Sequence, residues 1–380
     1  MKTRREFLRK TAIGGLSGIL AAGAAPLYSK ERVKRKDEVS LDEAMKVHKK
    51  VLTIDGHNDT PVERVARKEN PLKWKQLDTA YHMDIPRMKQ GGYNAGFFIV
   101  GDGPTSNVWV TTERVLDQIE TYPDDLTLVL STKDITYAKN KDIIGIILSI
   151  EGIGQWLDGN VDTLGILHRL GIRLVGITHG EGGKEPSFLQ GTPSLYRMCT
   201  SAERDDDRKN AGGLSPFGMD VLKLNNELGI VTDLSHINDK AFYDVLEHSA
   251  LPPIMSHTAV FALCNHARCM TDDQIKSLAA KDGVMGIAFA PQFIDADATK
   301  ATIDRIVEHI CYVGDLVGMD YVGIGTDYDG LGTETIPVVP EVSKLPLLTR
   351  SMLAHGMSEE EIRKVWGGNF MRVLKKTIDI

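Results

Sequence analysis

Histidines and acids recur in this chain directly after apolar runs, and their chemistry is that of metal ligands and proton carriers. Ile54-Asp55-Gly56-His57-Asn58-Asp59 follows the first run. In an extended chain, residues two apart share a face, so His57 and Asp59 can both reach one ion. Glu151 follows Leu148-Ser149-Ile150, His179 follows Gly176-Ile177-Thr178, and His236 follows Asp233-Leu234-Ser235. His257 follows Ile254-Met255-Ser256, and Asp327 follows Gly325-Thr326. Taken singly, each is the kind of residue that caps a loop or hydrogen-bonds within it. Gathered in one cleft, three neutral imidazoles and two or three carboxylates are ligands for zinc-type divalent ions, enough for two. Two such ions make a hydroxide from bridging water near neutral pH and polarise a carbonyl under attack, so hydrolysis is the expected output.

Other chemistries lack their residues. There is no His-Glu-x-x-His. Gly213-Leu214-Ser215-Pro216-Phe217 lacks the last glycine of a nucleophile elbow, and its proline removes a backbone N–H that an oxyanion hole needs. Gly323-Ile324-Gly325 is followed by Thr326-Asp327-Tyr328 rather than by the third glycine of a dinucleotide fingerprint.

Residues so far apart in the chain meet only if the elements carrying them converge. Eight apolar runs are rich enough in Val and Ile for strands buried on both faces: Val51–Ile54, Tyr93–Val100, Ile143–Ile150, Ile172–Thr178, Gly229–Leu234, Pro253–Ser256, Gly283–Phe289 and Tyr321–Thr326. Amphipathic stretches lie between them, clearest at Ile303, Ile306, Val307, Ile310, Val313, Leu316 and Val317 and repeated around Val221–Leu228 and Ile275–Ala279. The pattern predicts an α/β fold, a (β/α)8 TIM barrel of metal-dependent hydrolase type, although an open doubly wound sheet has the same periodicity. In a barrel all C-terminal strand ends share one mouth, where barrel enzymes keep their active sites. His168, His248, His309 and His355 fall on predicted helices and read as surface or packing residues.

The 380 residues, 42% hydrophobic and 26% charged, are ordinary for a folded globular protein. A formal charge of −7 and no dense Lys/Arg block after residue 37 argue against nucleic acid as a partner. Residues 1–24 read as an export signal: Arg4-Arg5 before Phe7-Leu8 resembles a twin-arginine motif, and an apolar run to Ala22-Gly23-Ala24 follows. That run is shorter than the roughly 20 residues of a membrane span, so cleavage is expected and no permanent span. Cleavage removes a net +4 (Lys2, Arg4, Arg5, Arg9 and Lys10 against Glu6) and takes −7 to −11. The expected destination is the periplasm. Residues 25–40 read as a charged tether, and 41–380 as a single catalytic domain with a long polar insertion at about 184–212, a lid, an oligomer contact or a solvated loop. Four cysteines make no disulfide scaffold, though Cys264 and Cys269 are close enough in sequence to pair.

Several segments together resemble the membrane (renal) dipeptidase family of binuclear zinc peptidases, within the amidohydrolase-like barrels. They are Ile54-Asp55-Gly56-His57-Asn58-Asp59-Thr60-Pro61, His82-Met83-Asp84-Ile85-Pro86-Arg87-Met88, Glu151-Gly152, Thr178-His179, Gly213–Gly218, Asp233-Leu234-Ser235-His236, Ser256-His257, Gly325–Gly330 and Gly367–Val373. The resemblance runs from about Leu41 to the C-terminus. It implies one zinc on His57 and Asp59, a second on His236 and His257, and Glu151 bridging them. It further implies that His179 faces the substrate carbonyl and stabilises its oxyanion, and that Asp327 moves a proton from the bridging water to the leaving amine. Arg268, eleven residues beyond His257, would pair with the substrate's terminal carboxylate. The implied substrate is a dipeptide, with D-residues accepted at the second position in some members, and members often form homodimers.

The chain departs from the family pattern in two places. After His179 comes Gly180-Glu181-Gly182-Gly183-Lys184 in place of an Asn and an aromatic, and Gly96-Phe97-Phe98-Ile99 stands where Gln-Phe-Trp is usual. Both are expected on the substrate side. They leave open a lactam, an acylated amino acid or another small amide as substrate. A non-catalytic periplasmic binder on the same barrel is a further reading, disfavoured by the retained His179 and Asp327.

Overall fold

The computed structural model describes residues 39–102, 107–179, 189, 195–332 and 335–380. The signal at 1–24, most of the tether and the glycine-rich stretch after His179 lie outside the described residues. Nine strands form one parallel sheet: β1 (Ile54–Asn58), β2 (Ala95–Asp102), β3 (Leu126–Leu128), β4 (Ile144–Glu151), β5 (Ile172–Gly176), β6 (Val231–Asp233), β7 (Ile254–Thr258), β8 (Val284–Ile287) and β9 (Val322–Ile324). Their order is β2-β1-β9-β8-β7-β6-β5-β4-β3, and β2 also pairs with β4, so eight of them close a ring. This is a (β/α)8 TIM barrel.

β3 is the strand the eight apolar runs did not include. It lies outside the ring, pairing Leu126–Leu128 with Ile144–Ile146 along the edge of β4 whose later residues, Leu148–Ile150, pair with β5. Only three residues long and only partly buried, it carries too little apolar sequence to stand out. The other difference is extent. The first run was expected to stop at Ile54, but the strand begins there and continues through His57 and Asn58; β4 and β7 likewise run on into Glu151 and His257. His57, Glu151 and His257 thus sit within the strands themselves, whereas Asp59, His179, His236 and Asp327 follow their strands by one to three residues.

The barrel is filled from its other end. Ile54, Ala95, Val231, Ile254 and Val284, from the starts of their strands, cluster around Phe370, Val373 and Leu374 of the C-terminal helix Asn369–Thr377. The apolar face of that helix stoppers the barrel bottom and leaves the C-terminal mouth for chemistry. Inside the ring, small residues permit close approach: a Cβ on Gly325 would lie 1.8 Å from the Ser256 carbonyl oxygen, and one on Gly286 2.1 Å from it. The helix Ile303–Val317 buries Ile306, Val307, Ile310 and Val313, the stripe its spacing predicts. His309 on that helix is a packing residue, with Nδ1 accepting the Val260 N–H at 3.0 Å and Nε2 within 2.9 Å of the Ile294 carbonyl.

The described part of the 184–212 insertion contains a helix, Ser201–Asn210, started by a capping box between Thr200 and Glu203. Its Arg204 is buried and forms two bonds to Asp239, at 3.1 and 3.0 Å, one to Gln274 at 2.9 Å and one to the Cys269 carbonyl at 2.5 Å. This stretch is therefore bolted to the barrel beside the loop that carries Arg268. Cys199, Cys264, Cys269 and Cys311 are free and buried, so Cys264 and Cys269 are not bonded. Among the described residues no helix is long and apolar enough to cross a membrane.

Replacing Gly325 by Ala should force backbone apart and destabilise the fold by about 1–3 kcal/mol, read as a lower midpoint in urea. Arg204→Ala leaves buried Asp239 with only Arg208, 3.1 Å away and partly exposed, and the Gln274 amide as partners, and should cost about 3 kcal/mol at neutral pH. Burial alone would raise the Asp239 carboxyl, but Arg204 and Arg208 outweigh it and hold it below its ordinary 3.8. A depressed carboxyl stabilises above its unfolded value and loses that contribution as pH falls through the folded one. The gap between parent and Arg204→Ala should therefore shrink below about pH 4, measured by melting at stepped pH.

Candidate metal centre

Each ligand candidate is placed by a strand end, and four of those ends are tied in two pairs by buried acids. Asp55 Oδ1 accepts the Thr326 N–H at 2.8 Å and its Oδ2 the Thr326 hydroxyl at 2.9 Å, tying β1 to the end of β9. The Asp327 N–H then donates to the His57 carbonyl at 3.0 Å, and the Asp59 N–H to the Tyr328 carbonyl at 2.8 Å. Asp233 does the same for β6 and β7. Its Oδ2 accepts the Ser256 hydroxyl at 2.6 Å, and Ser256 Oγ lies 2.9 Å from His257 Nδ1, which turns Nε2 toward the cleft. His236 and Asp327 are held at φ of 64° and 60°, a left-handed backbone that costs non-glycine residues roughly 1–3 kcal/mol. Such strain at two adjoining cleft residues is a mark of a functional site.

Side chains from six strand ends converge as a result. Glu151 divides its oxygens between two sides: Oε1 lies 3.0 Å from His236 Nε2 and 3.5 Å from His257 Nε2, while Oε2 lies 3.7 Å from His57 Nε2 and 3.6 Å from His179 Nε2. His57 Nε2 is 3.1 Å from Asp59 Oδ2, and the Nε2 atoms of His236 and His257 are 3.1 Å apart. Three overlapping groups each gather their ligand atoms within 4.8 Å: His57, Glu151 and His257; Glu151, His179 and His236; His57, Asp59 and Asp327. All seven residues expected at the centre fall into these linked groups, and His179 and Asp327 stand close enough to the others to be ligands themselves.

Protonation is divided across the centre: burial opposes charge on His57, but Asp59, Glu151 and Asp327 around it outweigh that and hold it well above its usual range. Burial and nearby Arg268 push His236 down to about 3, and burial, His57 and Arg268 hold His257 well below its usual range, so both rings face each other as neutral bases. Burial opposes charge on Glu151, yet His179, His57 and His236 around it outweigh that and hold it well below the usual carboxylate range. Burial raises Asp59 and, with Asp59 and Glu151 close by, pushes Asp327 up to about 8. Facing lone pairs beside crowded carboxylates are an unfavourable arrangement that dications relieve, so the donor set fits divalent metal ions.

A cleft of about 550 Å³ opens over the centre. Arg268 is part of its wall and only 6% exposed. The guanidinium lies 5.5 Å from the Phe293 ring centre, donates to the His257 carbonyl at 3.4 Å, and keeps a buried Nε with no hydrogen-bond partner. A buried cation with an unused donor suits an anionic ligand group. The four residues 96–99 turn out not to reach the substrate. Phe97, Phe98 and Ile99 are at most 1% exposed in the core, and Tyr93 Oη would sit 1.8 Å from a Cβ on Gly96. From β2 it is Asp102 that lines the cleft, with Tyr196, Gln292, Phe293 and Leu331 also contributing. None of these carries a spacing signal in the sequence, because loops bring them in.

The family model for the membrane dipeptidases, peptidase family M19, matches residues 41–380. The chain belongs to the membrane dipeptidase family. Among curated relatives, Dipeptidase tcpJ of Claviceps purpurea is 30% identical over 86% of this chain and 77% of its own. Dipeptidase verJ of Clonostachys rogersoniana is 28% identical, over 90% and 88%. Of solved structures, the dipeptidase AC, an M19 metallopeptidase, superimposes with a TM-score of 0.77 at 26% identity, over 87% of this chain and 99% of that one. A Rhodobacter sphaeroides metallopeptidase bound to a phosphinate mimic of L-Ala-D-Ala gives 0.76 at 26%, over 86% and 99%. Family membership and the ligand groups agree on a metal-dependent enzyme.

In this family member Gly330 marks how tightly the centre is wrapped: a Cβ there would lie 2.2 Å from Asp59 Oδ2 and 2.6 Å from Asp327 Oδ1. Gly330→Ala should therefore displace both carboxylates and lower bound metal per chain, measured by elemental analysis, in a chain whose circular dichroism is unchanged. Chelation of the parent should lower its melting temperature, and added Zn2+ should restore it.

Proposed function

We propose that this chain, a metal-dependent dipeptidase by family, is exported through its twin-arginine signal and cleaves dipeptides in the periplasm at two divalent ions, zinc in both positions. His57 and Asp59 would hold one ion and His236 and His257 the other, with Glu151 between them. The observation that carries the pair is the division of Glu151: Oε1 toward His236 and His257, Oε2 toward His57. When bound, such ions supply an activated water and a Lewis acid for the scissile carbonyl.

The chain's own residues supply the rest. Arg268 pairs its planar fork with the carboxylate of the second residue and so fixes which bond lies over the centre. His179, with about a third of its side chain open to the cleft, donates to the carbonyl oxygen as negative charge develops there. Asp327, held at the strained turn beside His57 and Asp59, takes the water proton and delivers it to the leaving amine. A phosphinate mimic of L-Ala-D-Ala bound to the Rhodobacter sphaeroides relative supports a pocket tolerant of a D-residue at the second position. The mature chain would act alone or as a homodimer.

Asp327→Asn should retain its metals and lose roughly 10²- to 10⁴-fold in kcat. Metal content and turnover measured on one preparation check this, and equal rates in variant and parent would remove Asp327 from the proton path. A panel of dipeptides with L- and D-residues at the second position should show turnover of both classes. Zinc-loaded protein that hydrolyses no dipeptide but opens a lactam or deacylates an amino acid would move the substrate class.

A further inference from the structure

Arg268 is carried by a loop rather than a strand: it lies eleven residues beyond His257, between β7 and the helix Asp272–Ala280. A side chain that must meet a carboxylate with both prongs of its fork needs that loop held in place. The barrel and the loop itself supply part of the hold. The Arg268 carbonyl accepts the Thr258 hydroxyl at 2.7 Å, its N–H donates to His266 Nδ1 at 3.1 Å, and its guanidinium bonds the His257 carbonyl. The long polar segment supplies the rest, on both sides of Arg268. Met198 forms an antiparallel bridge with His266, the Cys199 N–H donates to the Asn265 carbonyl at 2.9 Å, and the Ala267 N–H donates to the Arg197 carbonyl at 2.9 Å. Beyond Arg268, the Cys269 carbonyl accepts a bond from Arg204. Tyr196 packs edge-on against His266, ring centres 5.2 Å apart, and against Phe293 at 6.2 Å, the ring over which the Arg268 guanidinium lies.

Resting on the pairing of Arg268 with the substrate's carboxylate, we propose that Arg204 is a positioning residue for dipeptide hydrolysis. It acts through Arg268, and the helix Ser201–Asn210 is a strut for that residue rather than a lid. Nε and Nη2 of Arg204 hold the two oxygens of Asp239, Nη2 also reaches Gln274, and Nη1 is left for the Cys269 carbonyl. Asp239 opens the helix that follows β6, and Gln274 stands in the first turn of the helix that follows β7. These are the strands that lead to His236 and His257. Arg204 therefore ties the residue next to Arg268 to the two barrel segments that carry this histidine pair, and so sets where the carboxylate anchor stands relative to the centre. A dipeptide of fixed length reacts only when that separation suits it. Arg204 itself meets no substrate: its charge is matched by Asp239, and none of the described residues of its helix lines the cleft. A lysine would keep the charge, but its single nitrogen has three donors, too few for these four bonds and without the plane that aims them.

The test compares a substrate that uses Arg268 with one that does not. With zinc-loaded protein, kcat and KM are measured for the best dipeptide of the panel and for its C-terminal amide, in the parent, Arg204→Lys, Asp239→Asn and Arg208→Ala. The parent should favour the free acid. In Arg204→Lys that preference should fall roughly tenfold through a higher KM for the acid, with kcat, the amide and metal content close to the parent's. Arg208 bonds Asp239 but not Cys269, so Arg208→Ala should lower the melting temperature and leave the preference unchanged. Should Arg204→Lys not fold, Asp239→Asn, which removes the charge that orients Arg204, still has to lower the preference through KM. An acid-to-amide ratio equal to the parent's, an equal loss on both substrates, or the same shift in Arg208→Ala overturns the role of Arg204. A parent that cleaves acid and amide alike overturns it too, together with the carboxylate pairing of Arg268, and leaves the dipeptidase reading in place. No dipeptide turnover by the parent overturns that reading as well.

Discussion

A carboxylate taken out of water must find positive charge or strong donors around it, and Glu151 is buried among four imidazoles from four different strand ends, of which His236 and His257 are held neutral. Burial opposes its charge, and the ring of histidines overcomes the burial. The rest of the mouth follows from this. His57, His179, His236 and His257 must arrive at the right depth, which requires their strands to stop at matched heights. The converging lone pairs and carboxylates are then unfavourable to leave without a cation.

Matched heights depend on residues that never touch a substrate. Asp55 ties β1 to β9 and Asp233 ties β6 to β7, each through backbone N–H and hydroxyl donors together. Glycines at 286 and 325 let β8 and β9 approach the Ser256 carbonyl, immediately before His257. At the other end Phe370 and its helix fill the barrel, so the polar mouth can be strained without loosening the core. Arg204 extends this support outward, clamping Asp239 and the Cys269 carbonyl beside Arg268. The long polar segment, read from sequence as a lid, an oligomer contact or a solvated loop, thus contributes, in its helical part, to the wall that carries Arg268.

Much of this is legible before any coordinates. Alternation of apolar runs with helical stripes, and a polar residue after nearly every run, point to one barrel with one mouth. The misreadings share a cause. β1 extends past its apolar run because His57 and Asn58 are buried by the centre rather than by hydrophobicity. β3 is missed because three residues, only one of them fully buried, carry no periodicity. Residues 96–99 are misplaced because a parallel strand buried on both faces gives no sequence cue to which face lines the cleft; Asp102, the one residue of β2 that does, ends the strand.

The amino-acid sequence by itself determined the chemistry on offer and the class of fold, because residue type and period-two or helical spacing are local properties. It also set His168, His248 and His309, which lie on helices, apart from His57, His179, His236 and His257 at strand ends. Only the tertiary structure decided that Glu151 presents one oxygen to His57 and the other to His236 and His257, that Arg268 is buried with an unused donor, and that β2 faces β7 across the mouth. Those facts depend on register around a closed ring and on loop paths of tens of residues, which are set by how all the strands pack together at once and not by any short stretch of chain.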